Sequence, residues 1–156
     1  MPIVIRLIIG RGWGQGPQHA QSLEAIFAHI PGLKVACIST PLNAKGLMIS
    51  AIEDSNPVII FEHRWVHEAK GNVPKKYYKT KLGKAKILKR GKDITLISSS
   101  YMIIECLRCA QILKKHNIDV EVVDIQSLRP LDIISILRSV KKTKKAIIVD
   151  NGGITY

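Results

Sequence analysis

A chain of 156 residues, 46% of them hydrophobic, fits one domain or two partial ones, is long enough to bury a core, and is not disordered. No apolar run approaches the roughly 20 residues that a membrane helix needs, and the start lacks the basic segment, apolar run and cleavage site of a secretory signal. Three cysteines, Cys37, Cys106 and Cys109, are an odd number that argues against a disulfide framework and for the reducing cytoplasm.

The apolar, β-branched run 3–9 predicts a buried strand that ends at glycine. Gly10, Gly12, Gly14 and Gly16 then alternate with other residues, a loop that lets a ligand or another backbone come close. Pro17 fixes the chain again. Leu23, Ile26, Phe27 and Ile30 mark one face of a helix capped by Ser22 and ended by Pro31-Gly32. A strand over 33–38 follows, then a helix with Thr40 as cap, Pro41 at its first position and a buried stripe of Leu47, Met48, Ala51 and Ile52. Residues 54–57 break it, and 58–61 reads as a third strand. Residues 63–83 are polar, aromatic and basic without a clean period, a linker between a first unit (1–62) and a second (84–156). In the second unit, strands at 85–88 and 94–97 are joined by an Arg90-Gly91-Lys92 turn. A helix over 101–115 points Ile103, Cys106, Leu107, Ala110 and Leu113 inward. A strand over 120–124, an amphipathic face of Ile133, Ile136, Leu137 and Val140, and a last strand at 146–149 complete the pattern. Alternating strands and helices predict an α/β fold with parallel sheets and right-handed crossover helices.

Charge divides the chain. Residues 1–62 carry four basic and four acidic side chains, while residues 63–156 carry twenty against eight and so the whole net charge of +12. Lys75, Lys76, Lys79, Lys81, Lys84, Lys86, Lys89, Arg90 and Lys92 form a basic run. It reads as a nucleic-acid surface or as a solvated linker and edge strand.

His19 is the first candidate for chemistry. It follows the glycine-rich loop at the carboxyl end of a strand, where open α/β sheets bind ligands, and an imidazole there takes or gives a proton near neutral pH. A capping or packing role is the plainer alternative. Other signals are weaker. The glycine loop has neither the dinucleotide nor the phosphate-loop pattern. Cys106 and Cys109 have redox spacing but lie in mid-helix, away from a stabilising helix N-terminus. His63 and His67 are spaced to grip a metal on a helix but sit in linker without a third ligand.

The stretch Gly16-Pro17-Gln18-His19-Ala20-Gln21-Ser22-Leu23-Glu24-Ala25, followed by Phe27-Ala28-His29-Ile30-Pro31-Gly32-Leu33-Lys34-Val35, resembles the beta subunit of thiamine diphosphate-dependent 2-oxo acid dehydrogenases, a transketolase-like family. Agreement continues through Ala44-Lys45-Gly46-Leu47, residues 51–58, Phe61-Glu62-His63, Leu82-Gly83-Lys84-Ala85, residues 91–96 and residues 127–132. The resemblance implies part of a pyrimidine-binding domain followed by part of a transketolase C-terminal-like domain, with Met1 inside the first and Tyr156 inside the second. It implies oxidative decarboxylation of a 2-oxo acid, pyruvate first among them, with acyl transfer to a lipoyl group. The expected cofactors are thiamine diphosphate, with Mg²⁺ held largely by an alpha subunit, and K⁺.

His19 matches the family's active-site histidine. Ala51, Ile52, Asp54 and Asn56 match a stretch whose carbonyl oxygens hold K⁺ in some members; as plain sequence they are equally a helix stop. The glutamate that activates the cofactor lies before the point matching Met1, and neither Glu24 nor Glu53 takes its place, so the chain by itself is expected to be inactive. Ala20 replaces the family's commoner serine. Expected partners are the alpha subunit and a second beta subunit in an α2β2 assembly, and a lipoyl-bearing acyltransferase, with no nucleic acid and no membrane. A non-catalytic remnant that only associates with subunits, or a basic nucleic-acid-binding module, are the alternative readings.

Overall fold

The β-branched run after Pro2 forms strand β1, Val4–Ile9. The computed structural model describes residues 1–10 and 14–152, so the centre of the glycine-rich loop (11–13) and the last four residues lie outside the described part. A single helical turn, α1 (Gly16–His19), opens on Gly16 at φ +77° with Pro17 fixing the next residue, and α2 (Glu24–His29) follows. Leu23, not Ser22, occupies the cap position of α2, and no side chain caps it. The Ser22 hydroxyl is drawn instead to Asn151 Oδ1, 3.5 Å away in the second half of the chain.

Strand β2 (Lys34–Ile38) leads into α3 (Pro41–Ile52), whose start is the one expected. Thr40 Oγ1 accepts from Asn43 N at 3.1 Å, and Asn43 Oδ1 accepts from Thr40 N at 2.9 Å, a reciprocal cap. Leu47 and Ala51 of the predicted stripe are fully buried and Met48 packs beside them, but Ile52 is 64% exposed. One residue beyond Ala51, it is turned about 100° off the buried face as the helix ends. Strand β3 (Val58–His63) runs into a 3₁₀ turn over Arg64–Glu68, so His63 belongs to a strand and not to linker.

The second half builds β4 (Lys86–Lys89), β5 (Ile94–Ser98), α4 (Met102–Lys114), β6 (Val120–Asp124), β7 (Ser127–Arg129), α5 (Ile133–Thr143) and β8 (Ala146–Ile148). The strands form two sheets, ordered β1-β3-β2-β7 and β4-β6-β5-β8. β1, β3 and β2 run parallel, as do β6, β5 and β8; β4 and β7 are antiparallel additions. Two expectations need correction here. Residues 85–88 and 94–97 are not neighbours, because β6 lies between β4 and β5. Residues 90–93 pass across the end of β6 instead of turning back, with the amides of Lys92 and Asp93 both donating to the Asp119 carbonyl at 3.0 Å. The short strand β7, absent from the sequence reading, leaves the second half and pairs with Val35 and Ala36 of β2.

Each face of each sheet has its own packing. Val35, Cys37, Ile59 and Phe61 meet Phe27 and Ala28 of α2, with the Phe27 and Phe61 rings edge-on at 5.6 Å. Ile38, Val58 and Ile60 meet Ala44, Met48 and Ala51 of α3. Leu96, Val120 and Val122 meet Ile103, Cys106 and Ala110 of α4. Removing each large aliphatic or aromatic side chain of these clusters from water contributes about 1.5–3 kcal/mol. α5 departs from expectation. Ile133, Ile134 and Leu137 are exposed, while Ser139 and Thr143 are buried against Thr95. Among the described residues no helix is long and apolar enough to cross a membrane.

Candidate functional site where the two sheets meet

Parallel strands deliver all their carboxyl ends to one edge of a sheet, and here the two such edges face each other. Cys37 near the end of β2 is fully buried with Ser99, after β5, in hydrogen-bond reach of its thiol, and the charges of Glu24 at the start of α2, Asp124 at the end of β6 and Asp150 after β8 act on it. Burial pushes the Cys37 thiol well above its ordinary range, so it is a neutral core group. Glu24 is also raised, first by burial and then by Asp150, against the lowering effect of its own backbone hydrogen bond. At the end of β3 the His63 ring is sealed at 1% exposure, stacked on Tyr101 at 5.0 Å and accepting from Trp65 N through Nδ1 at 3.2 Å. Trp65 meets Tyr101 edge-on at 4.7 Å, so the first unit touches the start of α4 through aromatic faces.

His19 closes α1 on the chain that leaves the carboxyl end of β1, and it is exposed to solvent. Ala51, Ile52, Asp54 and Asn56 are not brought near it. They precede Val58, which pairs with Val4 at the start of β1, so they stand at the amino end of the first sheet. Asp54 there receives Lys34 Nζ at 2.5 Å on Oδ2 and the Asn56 amide at 2.9 Å on Oδ1. Its burial works to raise the carboxyl, but Lys34 and Asn56 together hold it below the ordinary value. The Ala51 carbonyl accepts from Asp54 N at 3.3 Å.

Cys106 and Cys109 are free thiols, one buried and one exposed, and burial lifts Cys106 to about 11. His67 does not join His63 but reaches Glu62 Oε2 at 3.3 Å. Glu62 is also gripped by Arg6 at 2.5 and 2.8 Å; Arg6 foremost, opposed by burial and aided by His67, keeps it ionised. Part of the basic run is matched by acids: Lys79 by Glu53, Lys84 by Asp132 and Lys89 by Asp119. Among the described residues no group of three or more His, Cys, Asp or Glu side chains is placed to hold a metal ion.

Sequence reasoning missed the polar contacts between the halves. The Ser39 hydroxyl donates to Asp124 Oδ2, and Asn43 Nδ2 reaches the same oxygen at 3.3 Å and Gln126 Oε1 at 3.4 Å. The only hint was Asp124 closing a strand whose other residues are three valines and Glu121.

Residues 1–67 match the model of the transketolase pyrimidine-binding domain, and residues 83–156 match that of the transketolase C-terminal domain. The chain belongs to the transketolase family in both its halves. Its relatives include the beta subunit of pyruvate dehydrogenase E1 component from Porphyra purpurea, 45% identical over 96% of this chain and 45% of the relative. The beta subunit of acetoin:2,6-dichlorophenolindophenol oxidoreductase from Cupriavidus necator is 42% identical over 96% of this chain and 44% of its own length. A solved split-gene transketolase, described as an inactive beta4 tetramer, superposes with a TM-score of 0.81 at 23% identity, covering 96% of this chain and 48% of that one, a likeness of fold alone. The chain thus spans less than half the length of these curated relatives.

Proposed function

We propose that this chain serves as part of the beta subunit of a thiamine diphosphate-dependent 2-oxo acid dehydrogenase, with pyruvate as the leading substrate and a lipoyl group as acyl acceptor. The observation that carries this reading is 45% identity to a pyruvate dehydrogenase E1 beta subunit and 42% to an acetoin oxidoreductase beta subunit across nearly the whole chain, with the histidine of the Gly16–Ser22 stretch exposed after the carboxyl end of β1. Identity does not separate pyruvate from acetoin relatives, so the shared chemistry, scission beside a small ketone, is the firmer part.

Thiamine diphosphate, when bound, supplies the electron sink for that scission. The described residues fit a shared site. They offer an exposed imidazole on a glycine-rich approach, and in the proposed assembly an alpha subunit holds the metal and the diphosphate. Within such a site His19 holds or passes a proton at a ring nitrogen while the acyl group moves to the lipoyl arm. The stretch Ala51, Ile52, Asp54 and Asn56 offers backbone carbonyl oxygens to K⁺ where α3 ends. Lys34 already neutralises the Asp54 carboxylate, so the carbonyls and not the side chain would be the ligands. The assembly is an α2β2 type with a lipoyl-bearing acyltransferase as its acceptor partner.

The test is His19→Ala in a reconstituted assembly containing an alpha subunit and the remainder of a beta subunit. Loss of a general acid–base group lowers kcat by about 10²–10⁴. Turnover and lipoyl acylation at the unsubstituted rate would remove His19 from the reaction.

A further inference from the structure

The candidate site lies at the carboxyl ends of the two sheets, so the amino end of the second sheet is a separate pole. Because β5, β6 and β8 run parallel, the crossover helices α4 and α5 both end at this pole. Lys114 and Lys115 close α4, while Lys141, Lys144 and Lys145 close α5 and lead into β8. Antiparallel β4 ends here as well, and the 90–93 crossing brings Arg90 and Lys92 to the start of β6. The helix dipole favours a cation at each helix end. It does not account for Arg90 and Lys92, which belong to no helix.

Acids do not balance these charges. Segments 89–95, 112–121 and 141–146, which build the pole, hold nine Lys and Arg side chains against three carboxylates, Asp93, Asp119 and Glu121. All three carboxylates are already committed. Glu121 is buried with Lys142, Asp119 takes Lys89 Nζ at 2.9 Å, and Asp93 Oδ2 accepts from the Asp119 amide at 2.7 Å. Lys89 foremost, opposed by burial and aided by Lys92 and Lys114, holds Asp119 below the ordinary carboxylate range, so cations of the crossing and of α4 converge on one spot. The other seven cations are exposed and, among the described residues, form no ion pair.

We propose that this pole is a nucleic-acid surface that grips the phosphate backbone without reading sequence, a function separate from the chemistry at His19. Six of the seven unpaired cations are lysines, point charges without the planar fork that reads a base edge. A protein partner fits this composition poorly. Protein interfaces are depleted of lysine and enriched in aromatic residues, and these segments carry no Phe, Trp or Tyr. An anionic membrane fits poorly too, because both helices meet the pole end-on and neither lays an apolar face along it. A polyphosphate needs only several exposed cations, and its displaced counterions drive the binding. This reading departs from the sequence expectation of no nucleic-acid partner. The fold splits the linear run at 75–92: residues 75–81 lie along α3, and only the end of the run joins α4 and α5 at the pole.

Fluorescence anisotropy of the full chain with a labelled DNA duplex of about 20 base pairs, in salt from about 50 to about 200 mM, tests this. The logarithm of the binding constant should fall linearly with that of salt at a slope of about −3.6 or steeper, the mark of four or more phosphate contacts. The variant Lys114→Gln/Lys115→Gln/Lys141→Gln/Lys145→Gln, checked for fold by circular dichroism, should bind at least about tenfold more weakly at low salt, with a slope shallower by about 3. The variant Lys70→Gln/Lys75→Gln/Lys76→Gln/Lys81→Gln has the same net charge but alters only exposed lysines outside the pole, and should bind within about twofold of the parent. If the pole variant fails to fold, acetic anhydride labelling of the parent carries the test: the duplex should shield Lys114, Lys115, Lys141 and Lys145 and leave Lys70, Lys75 and Lys76 reactive. Binding indifferent to salt, equal losses in the two variants, or shielding spread evenly over the chain overturns the assignment. So does tighter binding to poly-glutamate or phosphatidylserine vesicles than to the duplex.

Discussion

Gly91 shows how one missing side chain sets a sheet's geometry. A Cβ at this position would run into the backbone of Val120 and Glu121, and the Gly91 amide donates to Glu121 Oε2 at 3.3 Å. Gly91→Ala should therefore push the 90–93 crossing off β6 and destabilise the chain by at least about 2 kcal/mol. Urea unfolding measures it, and a change below about 0.5 kcal/mol would mean that the crossing yields freely. The same residue explains a misreading. An Arg-Gly-Lys between two apolar runs has the look of a hairpin turn, yet the glycine is there for a close approach to a strand thirty residues on. The polar contacts of Asp124 were not legible in the sequence, since its partners Ser39 and Asn43 lie 85 and 81 residues away and no local pattern records them.

Among the elements, α4 and the start of α3 behaved as read. The 3.6-residue stripe of α4 buries Ile103, Cys106 and Ala110, and the Thr40-Pro41 signal starts α3 with a full reciprocal cap. β7 escaped notice because three residues have no period; Ser127–Arg129 is a strand only through its pairing with β2. α5 was recognised as amphipathic, and Ile136 and Val140 of the expected face are half-buried, but Ile133 and Leu137 are exposed. Glu121 is wholly buried in the strand beneath it, held by Lys142 and Ser139. A buried carboxylate needs such partners, so the helix sets its polar edge down and leaves Ile133, Ile134 and Leu137 outside. The stop of α3 carries a prediction of its own. If the carbonyls of residues 51–56 take K⁺, potassium chloride should raise Tm relative to lithium chloride, by up to about 2.7 kcal/mol of stability at a hundredfold excess over Kd. Equal melting in the two salts would leave this stretch as a helix stop alone.

At the scale of the whole molecule, two largely parallel sheets present their carboxyl ends to one another, and the second half of the chain lends β7 to the first sheet. Their outer parts are unusually bare. Ile5 and Ile8 on edge strand β1 are 40% and 50% exposed, and Ile148 on edge strand β8 is 78% exposed. Apolar edges of this kind are where further protein packs. Curated relatives are more than twice as long as the matched region. Under the proposed function the site is shared: this chain would contribute His19 and its approach, and other polypeptide the Mg²⁺ ligands and the cofactor-activating carboxylate. The decisive measurement is calorimetry with thiamine diphosphate and Mg²⁺, paired with a pyruvate decarboxylation assay, on the purified 156-residue chain with and without the alpha subunit and beta-subunit remainder of a relative. The account predicts neither heat of binding nor turnover from the lone chain, and both on reconstitution. Micromolar cofactor binding with turnover by the lone chain would contradict it.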